Sequence, residues 1–490
     1  MGPPRALPVV AVGLVLTVGL YGGTAQAAAD DTAQLEARLA EVMQRLQQLE
    51  QRNRVLEQRL DAAQAQADGV ERALASDRLS ENEPELVTRL KAVENQTLSM
   101  QKPARQIEAL EDINASASLV GMVQHVGEGG GEAGHAQSRA NYRGDIALAL
   151  PGGALGSADG RIFTQLRFGQ GAGIAARPGF SSTPNTTAFE IAGVDDPDSS
   201  FAILAQAWYQ LEVPLPLDGF KPHARQHLEL NVGKIDPFLF FDQNAAADDE
   251  GTRFVNNVFV HNPLLDSGGD VGADAYGFTP GLRLAWRDEA DAALRWRASL
   301  GVFGSGEAAN FSGSLGRPFV IAQLEASPRW IQGLDGTYRL YAWHNGRATE
   351  LDGTAHAHAG WGISADQRVT ASMRLFGRYG RRTTGHGGFD QALTLGGELA
   401  GEAWSRAADG VGLAFAWLPA SRAWREATAA DQALIGTAAS GAERVAELYY
   451  RWHLNGSVEL TPDLQWVGRP AANPQASGYF VAGLRARLGF

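Results

Sequence analysis

The pattern of apolar and polar positions divides the chain into segments with different periods. A run rich in Val, Leu and Gly, from Val9 to Leu20, follows Arg5, and Ala25-Gln26-Ala27 then offers a small-x-small cleavage pattern. This arrangement predicts a removed export signal over 1–27, with a mature start at Ala28. A retained membrane anchor is the competing reading. It fits less well, because the apolar run is short and ends in small residues.

From about 30 to 75 the period is helical. Leu35, Leu39, Val42, Leu46, Leu49, Asn53, Leu56 and Leu60 recur at alternating spacings of four and three, which is a heptad seam. Leu39, Leu46, Asn53 and Leu60 take the a positions; Leu35, Val42, Leu49 and Leu56 take d. Arg38, Arg45, Arg52 and Arg59 fall at g, and Glu36, Glu50 and Glu57 at e. Arg45 therefore meets Glu50, and Arg52 meets Glu57, of a parallel neighbour, while Asn53 fixes the register. The seam predicts a parallel homo-oligomer, dimer or trimer, over residues 28–75. The alternative is one amphipathic helix lying on its own barrel. Ala63 and Ala67 weaken the seam, and Gly69, Pro84 and Pro103 mark a polar linker over 76–115.

From 116 to 490 the period falls to two. Phe480, Ala482, Leu484, Ala486, Leu488 and Phe490 share one face of the last segment; Gly483, Arg485, Arg487 and Gly489 share the other. Leu448, Tyr450, Trp452 and Leu454 oppose Glu447, Tyr449, Arg451 and His453. Leu294, Trp296, Ala298, Leu300 and Val302 oppose Arg295, Arg297 and Ser299. Val369, Ala371, Met373 and Leu375 oppose Arg368, Thr370, Ser372 and Arg374. Ile162, Thr164, Leu166 and Phe168 oppose Arg161, Gln165 and Arg167. An apolar face opposite an arginine-bearing one fits a wall between lipid and water, with Trp417, Tyr450 and Trp466 as interfacial aromatics. The closing Phe490 resembles the terminal signal that barrel-assembly machinery reads in outer-membrane proteins. A soluble β-sandwich would alternate too, but the export signal, the terminal Phe and the size favour a barrel. Roughly 375 residues allow about 16 strands, enough to leave an aqueous channel. The predicted fold is an all-β transmembrane barrel of about 16 antiparallel strands, preceded by an α-helical coiled coil.

Composition sharpens this picture by exclusion. The 490 residues carry a formal charge of −13 and show no basic face for phosphates, which argues against a nucleic-acid partner. With no cysteine there is neither a disulfide nor a thiolate chemistry. No Ser-His-Asp or similar signature stands out, so no enzyme activity and no cofactor are expected.

Two stretches resemble the carbohydrate-selective (OprB-type) porin family. The first runs from Gly233-Lys234-Ile235-Asp236 through Phe241-Asp242-Gln243-Asn244 and Ala246-Ala247-Asp248-Asp249-Glu250 to Phe254-Val255-Asn256-Asn257 and Asn262-Pro263. The second comprises Glu447-Leu448-Tyr449-Tyr450-Arg451, Leu460-Thr461-Pro462-Asp463-Leu464-Gln465-Trp466-Val467 and Gly483-Leu484-Arg485. The resemblance implies a sugar-permeable barrel in the outer membrane. The amino-terminal coiled coil lies outside the common barrel, and the family's usual Tyr after Asn244 is absent.

Arginine suits a pore lining because it stays charged and holds its donors in a fixed plane. Arg161, Arg167, Arg283, Arg295, Arg297, Arg374, Arg485 and Arg487 are expected to face the lumen. Asp242, Asp248, Asp249 and Glu250 lie in a long connection that is expected to fold inward as a constriction. Ordinary solvated or wall-bracing charges are the bland alternative. His356 and His358, with His344 elsewhere, read as a solvated pair rather than a metal site. Gly129-Gly130-Gly131 reads as a loop, and the Asp/Gly-rich 266–274 stretch lacks calcium-loop spacing. The expected function is passive diffusion of small hydrophilic solutes, sugars favoured. An anion-selective pore and a tether through the coiled coil are the alternatives.

Overall fold

The structure is a computed structural model that describes residues 113–181, 183–191, 199–217, 224–305 and 313–490. The export signal, the seam of Leu39, Leu46, Asn53 and Leu60, and the linker through residue 112 lie outside the described residues.

The strands are β1 (Asn114–Val126), β2 (Gln137–Leu155), β3 (Ala158–Gln170), β4 (Phe201–Leu215), β5 (Gln226–Ile235) and β6 (Thr279–Asp288). Next come β7 (Leu294–Phe303), β8 (Phe319–Pro328), β9 (Gly336–Thr349), β10 (Ala355–Arg368) and β11 (Met373–Thr384). The last are β12 (Gln391–Gly401), β13 (Arg406–Pro419), β14 (Ala442–His453), β15 (Val458–Gly468) and β16 (Tyr479–Gly489). Together these sixteen strands, counted among the described residues, close into one antiparallel barrel in sequence order, with β1 beside β16. The seam extends to the terminal residue: the Phe490 N–H donates to Ala117 O at 2.9 Å, and the Ala117 N–H to Phe490 O at 3.2 Å.

Period-two alternation forms these strands because it gives each one a face for lipid. Cross-strand register lines up the outward apolar positions: Leu211, Leu230, Leu284 and Leu300 follow one another across β4 to β7. Leu324, Leu340 and Ile363 do the same across β8 to β10. Leu484 is 50% exposed and Phe480 58% on this outer face. An apolar band this continuous is a membrane surface, since soluble monomers rarely leave large contiguous apolar patches open. No helix among the described residues is long and apolar enough to cross a membrane.

The alternation from Arg368 to Leu375 predicts one strand, and the structure makes it a hairpin. β10 ends at Arg368, and the Val369 N–H donates to Met373 O at 2.9 Å across the turn. A four-residue turn preserves even spacing, so the alternation runs on through it and hides the reversal.

Short turns such as 156–157, 369–372 and 454–457 gather at the end that carries Asn114 and Phe490. Long connections gather at the other end, among them 171–200, 236–278 and 420–441. The 236–278 connection holds a helical turn, α1 (Asn257–Val260), and 420–441 holds α2 (Arg422–Ala430). This asymmetry is the one that outer-membrane barrels show between periplasmic turns and outer loops.

The interior is not wet throughout. Phe241, Phe254, Phe259 and Leu264 of the 236–278 connection pack into the lumen against Tyr341, Trp343, Phe376 and Tyr449 of the wall. The wall makes room with glycine: an ideal Cβ on Gly362 or Gly380 would lie 2.7 or 2.6 Å from the Asn262 side chain. A wall with aromatics and glycines on its inner face is what lets a long loop lie inside.

Candidate functional site

The lumen is narrowed by the 236–278 connection, and the wall holds that connection at many points. Asp242 takes a left-handed backbone (φ 54°), which Asp tolerates better than most residues. Its carboxylate accepts from Tyr341 OH at 2.7 Å and from the Asn262 N–H, and pairs with Arg378 Nε at 3.3 Å. Arg378, on β11, also donates to three loop carbonyls: Phe259 O at 2.6 Å, Ala247 O at 3.2 Å and Asp242 O at 3.2 Å. Three strands further round, on β14, the Glu447 carboxylate accepts from the Val255 and Asn256 N–H groups at 2.7 and 3.0 Å. Arg485 donates to Glu250 O at 2.8 Å and Arg253 O at 2.7 Å. Asp270 takes Arg382, the Trp343 indole N–H at 2.9 Å and His358 Nδ1 at 2.7 Å. Buried loop backbone needs such partners because no water reaches it.

A second connection, 171–200, also turns inward. The Phe180, Ser181 and Ala471 N–H groups each donate to Glu443 at 2.7 Å, and Gln465 donates to Pro184 O at 2.8 Å. The local sequence, which carries its own acidic run at Asp195, Asp196 and Asp198, gives no sign of this inward course, because the anchors lie on distant strands.

The expected lumen arginines all stand on inward positions of their strands, in differing company. Arg167 pairs with Asp145 at 2.7 Å. Arg283 pairs with Glu229 at 2.9 Å and lies over the Phe240 ring, 4.5 Å from its centroid. Arg374 bridges Asp366 at 2.5 Å and Asp335 at 2.6 Å, and Arg297 lies 3.7 Å from Glu325. Arg487 lies 3.8 Å from Glu459. Arg295 and Arg161 are exposed, Arg295 in a small cleft with Arg287 and Arg297. Arg485 is spent on the loop backbone. Further inward arginines lie outside that expected set, among them Arg143, Arg287, Arg339, Arg378 and Arg382. The last two continue the even spacing from Arg374, a signal that the missed hairpin at 369–372 obscured.

The four acidic loop residues divide. Asp242 is fully buried against the wall, away from open space. Asp249 caps a turn, accepting from the Gly251 N–H at 2.9 Å and Thr252 Oγ1 at 2.7 Å. Asp248 and Glu250 line a cavity of about 470 Å³ between the loop and β2–β3. Arg143 and Arg167 form its wall side; Asp236, Phe238 and His261 lie on the loop side. The Phe238 and His261 rings stack at 3.7 Å and 7°.

Charge within this cavity is mostly matched. Burial raises the Glu250 carboxyl, but Arg143 at 2.7 Å and Arg167 outweigh it and hold the group down to about 2. Burial lowers the His261 ring, yet its bond to Asp266 at 3.0 Å outweighs that and leaves it raised. Asp236 and Asp248 are both pushed up by burial.

The histidines do not act as a solvated pair. His356 and His358 straddle a register shift in β10. His358 turns inward to Asp270, whereas His356 lines an outer groove with His344. The Asp/Gly-rich stretch is likewise occupied, because Asp270 is the buried partner of Arg382. Among the described residues no group of three ligand-type side chains is set to hold a metal.

A closed sixteen-stranded barrel with an apolar exterior and loops folded into a polar lumen defines an outer-membrane channel protein. Residues 204–490 match the model of the carbohydrate-selective porin, OprB family, and the chain belongs to that family. It is an outer-membrane porin for carbohydrates. Among solved structures, the high-pH form of OprB from Pseudomonas putida superposes with a TM-score of 0.59 at 19% identity. The match covers 79% of this chain and 96% of that one. Its low-pH form gives 0.44 at 17%, covering 79% and 95%. The outer membrane channel DcaP of Acinetobacter baumannii gives 0.46 at 12%, covering 77% and 97%. No curated protein sequence matches the chain.

Proposed function

We propose that solute passes through the cavity beside Arg143, Arg167, Asp248 and Glu250, and then along the inward arginines toward the short-turn end. The observation that carries this reading is pairing. Arg167, Arg283, Arg297, Arg339, Arg374 and Arg487 each have a carboxylate within 4 Å. Paired guanidinium and carboxylate groups offer donors and acceptors to sugar hydroxyls without a strong net field. The same pairing weakens the motive for anion selectivity, which needs arginines left uncompensated.

Planar bilayers with purified refolded protein test the reading: glucose and maltose should interrupt the current in a concentration-dependent way. Conductance that no sugar disturbs, or none at all, would sink it. The same proposal takes Phe490 as the residue that assembly machinery reads, and the seam at Leu39, Leu46, Asn53 and Leu60 as the source of a homo-oligomer in the periplasm.

A further inference from the structure

The cavity beside the loop is not electrically neutral. Asp145 and Glu250 match Arg143 and Arg167. Asp266 matches His261, and Asp274 lies 3.3 Å from Lys234. Asp236 and Asp248 remain. Asp236 accepts from the Phe238 N–H at 2.9 Å, and Asp248 from the Asn244 N–H at 3.1 Å. Neither has a basic group within ion-pair distance among the described residues. Both are partly buried, so an uncompensated negative charge there is unfavourable and a cation entering the cavity relieves it.

The same cavity is lined by an aromatic pair. Phe238 follows Asp236 by two residues and stacks face to face with His261. A pyranose ring presents C–H groups on its faces and hydroxyls on its rim. It can therefore lie against an aromatic face while its rim meets carboxylate acceptors and guanidinium donors.

We propose that this cavity selects cation-bearing sugars, 2-amino-2-deoxyhexoses, over neutral hexoses, with Asp236 and Asp248 receiving the ammonium group and the Phe238–His261 pair supporting the ring. The inference rests on the passage of sugar proposed above and names the class of sugar favoured at that site. It also reverses the sign that the arginine count suggests: the arginines are matched, and the carboxylates decide.

Single-channel recording at neutral pH with glucosamine, glucose and N-acetylglucosamine provides the test. The three share a ring, and only the first carries a positive charge. Glucosamine should interrupt the current at about tenfold lower concentration than the other two, the size expected of one charge-assisted hydrogen bond. Asp236→Asn with Asp248→Asn, which keeps a side-chain oxygen to accept from the Phe238 and Asn244 N–H groups, should bring glucosamine to the level of glucose. A KCl gradient should show potassium favoured in the parent and less so in the variant. Equal block by all three sugars, or a preference for chloride, would overturn the proposal while leaving sugar passage intact. If none of the three disturbs an open channel, the sugar pathway itself fails, and this inference falls with it.

Discussion

Arg378 stands where an apolar residue of similar volume would take a donor from three loop carbonyls and the counter-charge from the Asp242 carboxylate. Arg378→Met should therefore cost about 3–5 kcal/mol, the usual price of stranding a buried charge. It should appear as an earlier thermal unfolding transition and a larger, noisier single-channel conductance as the loop comes away from β11. Arg378→Lys, which keeps the charge but not the fork, should fall between. The loop carboxyls divide with pH. Glu250 has a folded pKa depressed to about 2, so its contribution is present above the ordinary glutamate value and is lost as pH falls through about 2. Asp236 and Asp248 are raised and protonate first. Acidifying from neutral to about pH 4 should thus erase the glucosamine preference while glucose block persists, because the Arg143–Glu250 pair survives.

At the scale of elements, β16 was the most legible part of the chain. Phe480, Leu484 and Leu488 alternate with Arg485 and Arg487, and the structure sets the first three outward and the arginines inward. Leu484→Arg places a charge on the lipid face and should cost about 2–4 kcal/mol near the bilayer midplane. Urea titration of protein refolded into vesicles measures it. Deleting Phe490 removes two backbone hydrogen bonds to Ala117 at the closing seam. The expected result is less barrel in the outer membrane, scored by the heat-modifiable band in unboiled gels; an unchanged yield would count against the assembly signal. The hairpin at 369–372 was illegible because even spacing survives the reversal. The inward course of 171–200 was illegible too, since its anchors are Glu443 and Gln465, more than 200 residues away in sequence.

For the whole molecule, the proposed coiled coil and the barrel make separable predictions. Deleting residues 30–75 should turn a crosslinked oligomer into a monomer while conductance per barrel stays the same. Envelope defects with unchanged conductance would instead favour a tether. Asn53→Leu should raise the thermal stability of the proposed coiled coil and loosen its register, since an Asn at an a position trades stability for specificity. Of the candidate site, the sequence pointed to the 236–278 connection and to eight of the inward arginines. It did not tell Asp242, a strut behind the loop, from Asp248, which lines the cavity, because both stand in the same acidic run.

Local alternation determined the class of fold, the face that meets lipid and the existence of an arginine-bearing interior. These follow from period two and from the different solvents on either side of a membrane strand. Only the closed tertiary structure decided which of those arginines are matched, which carboxylates are left over, and where open space remains between loop and wall. The physical reason is that charge pairing and burial depend on distances across the lumen, between residues far apart in the chain, and no local pattern encodes those.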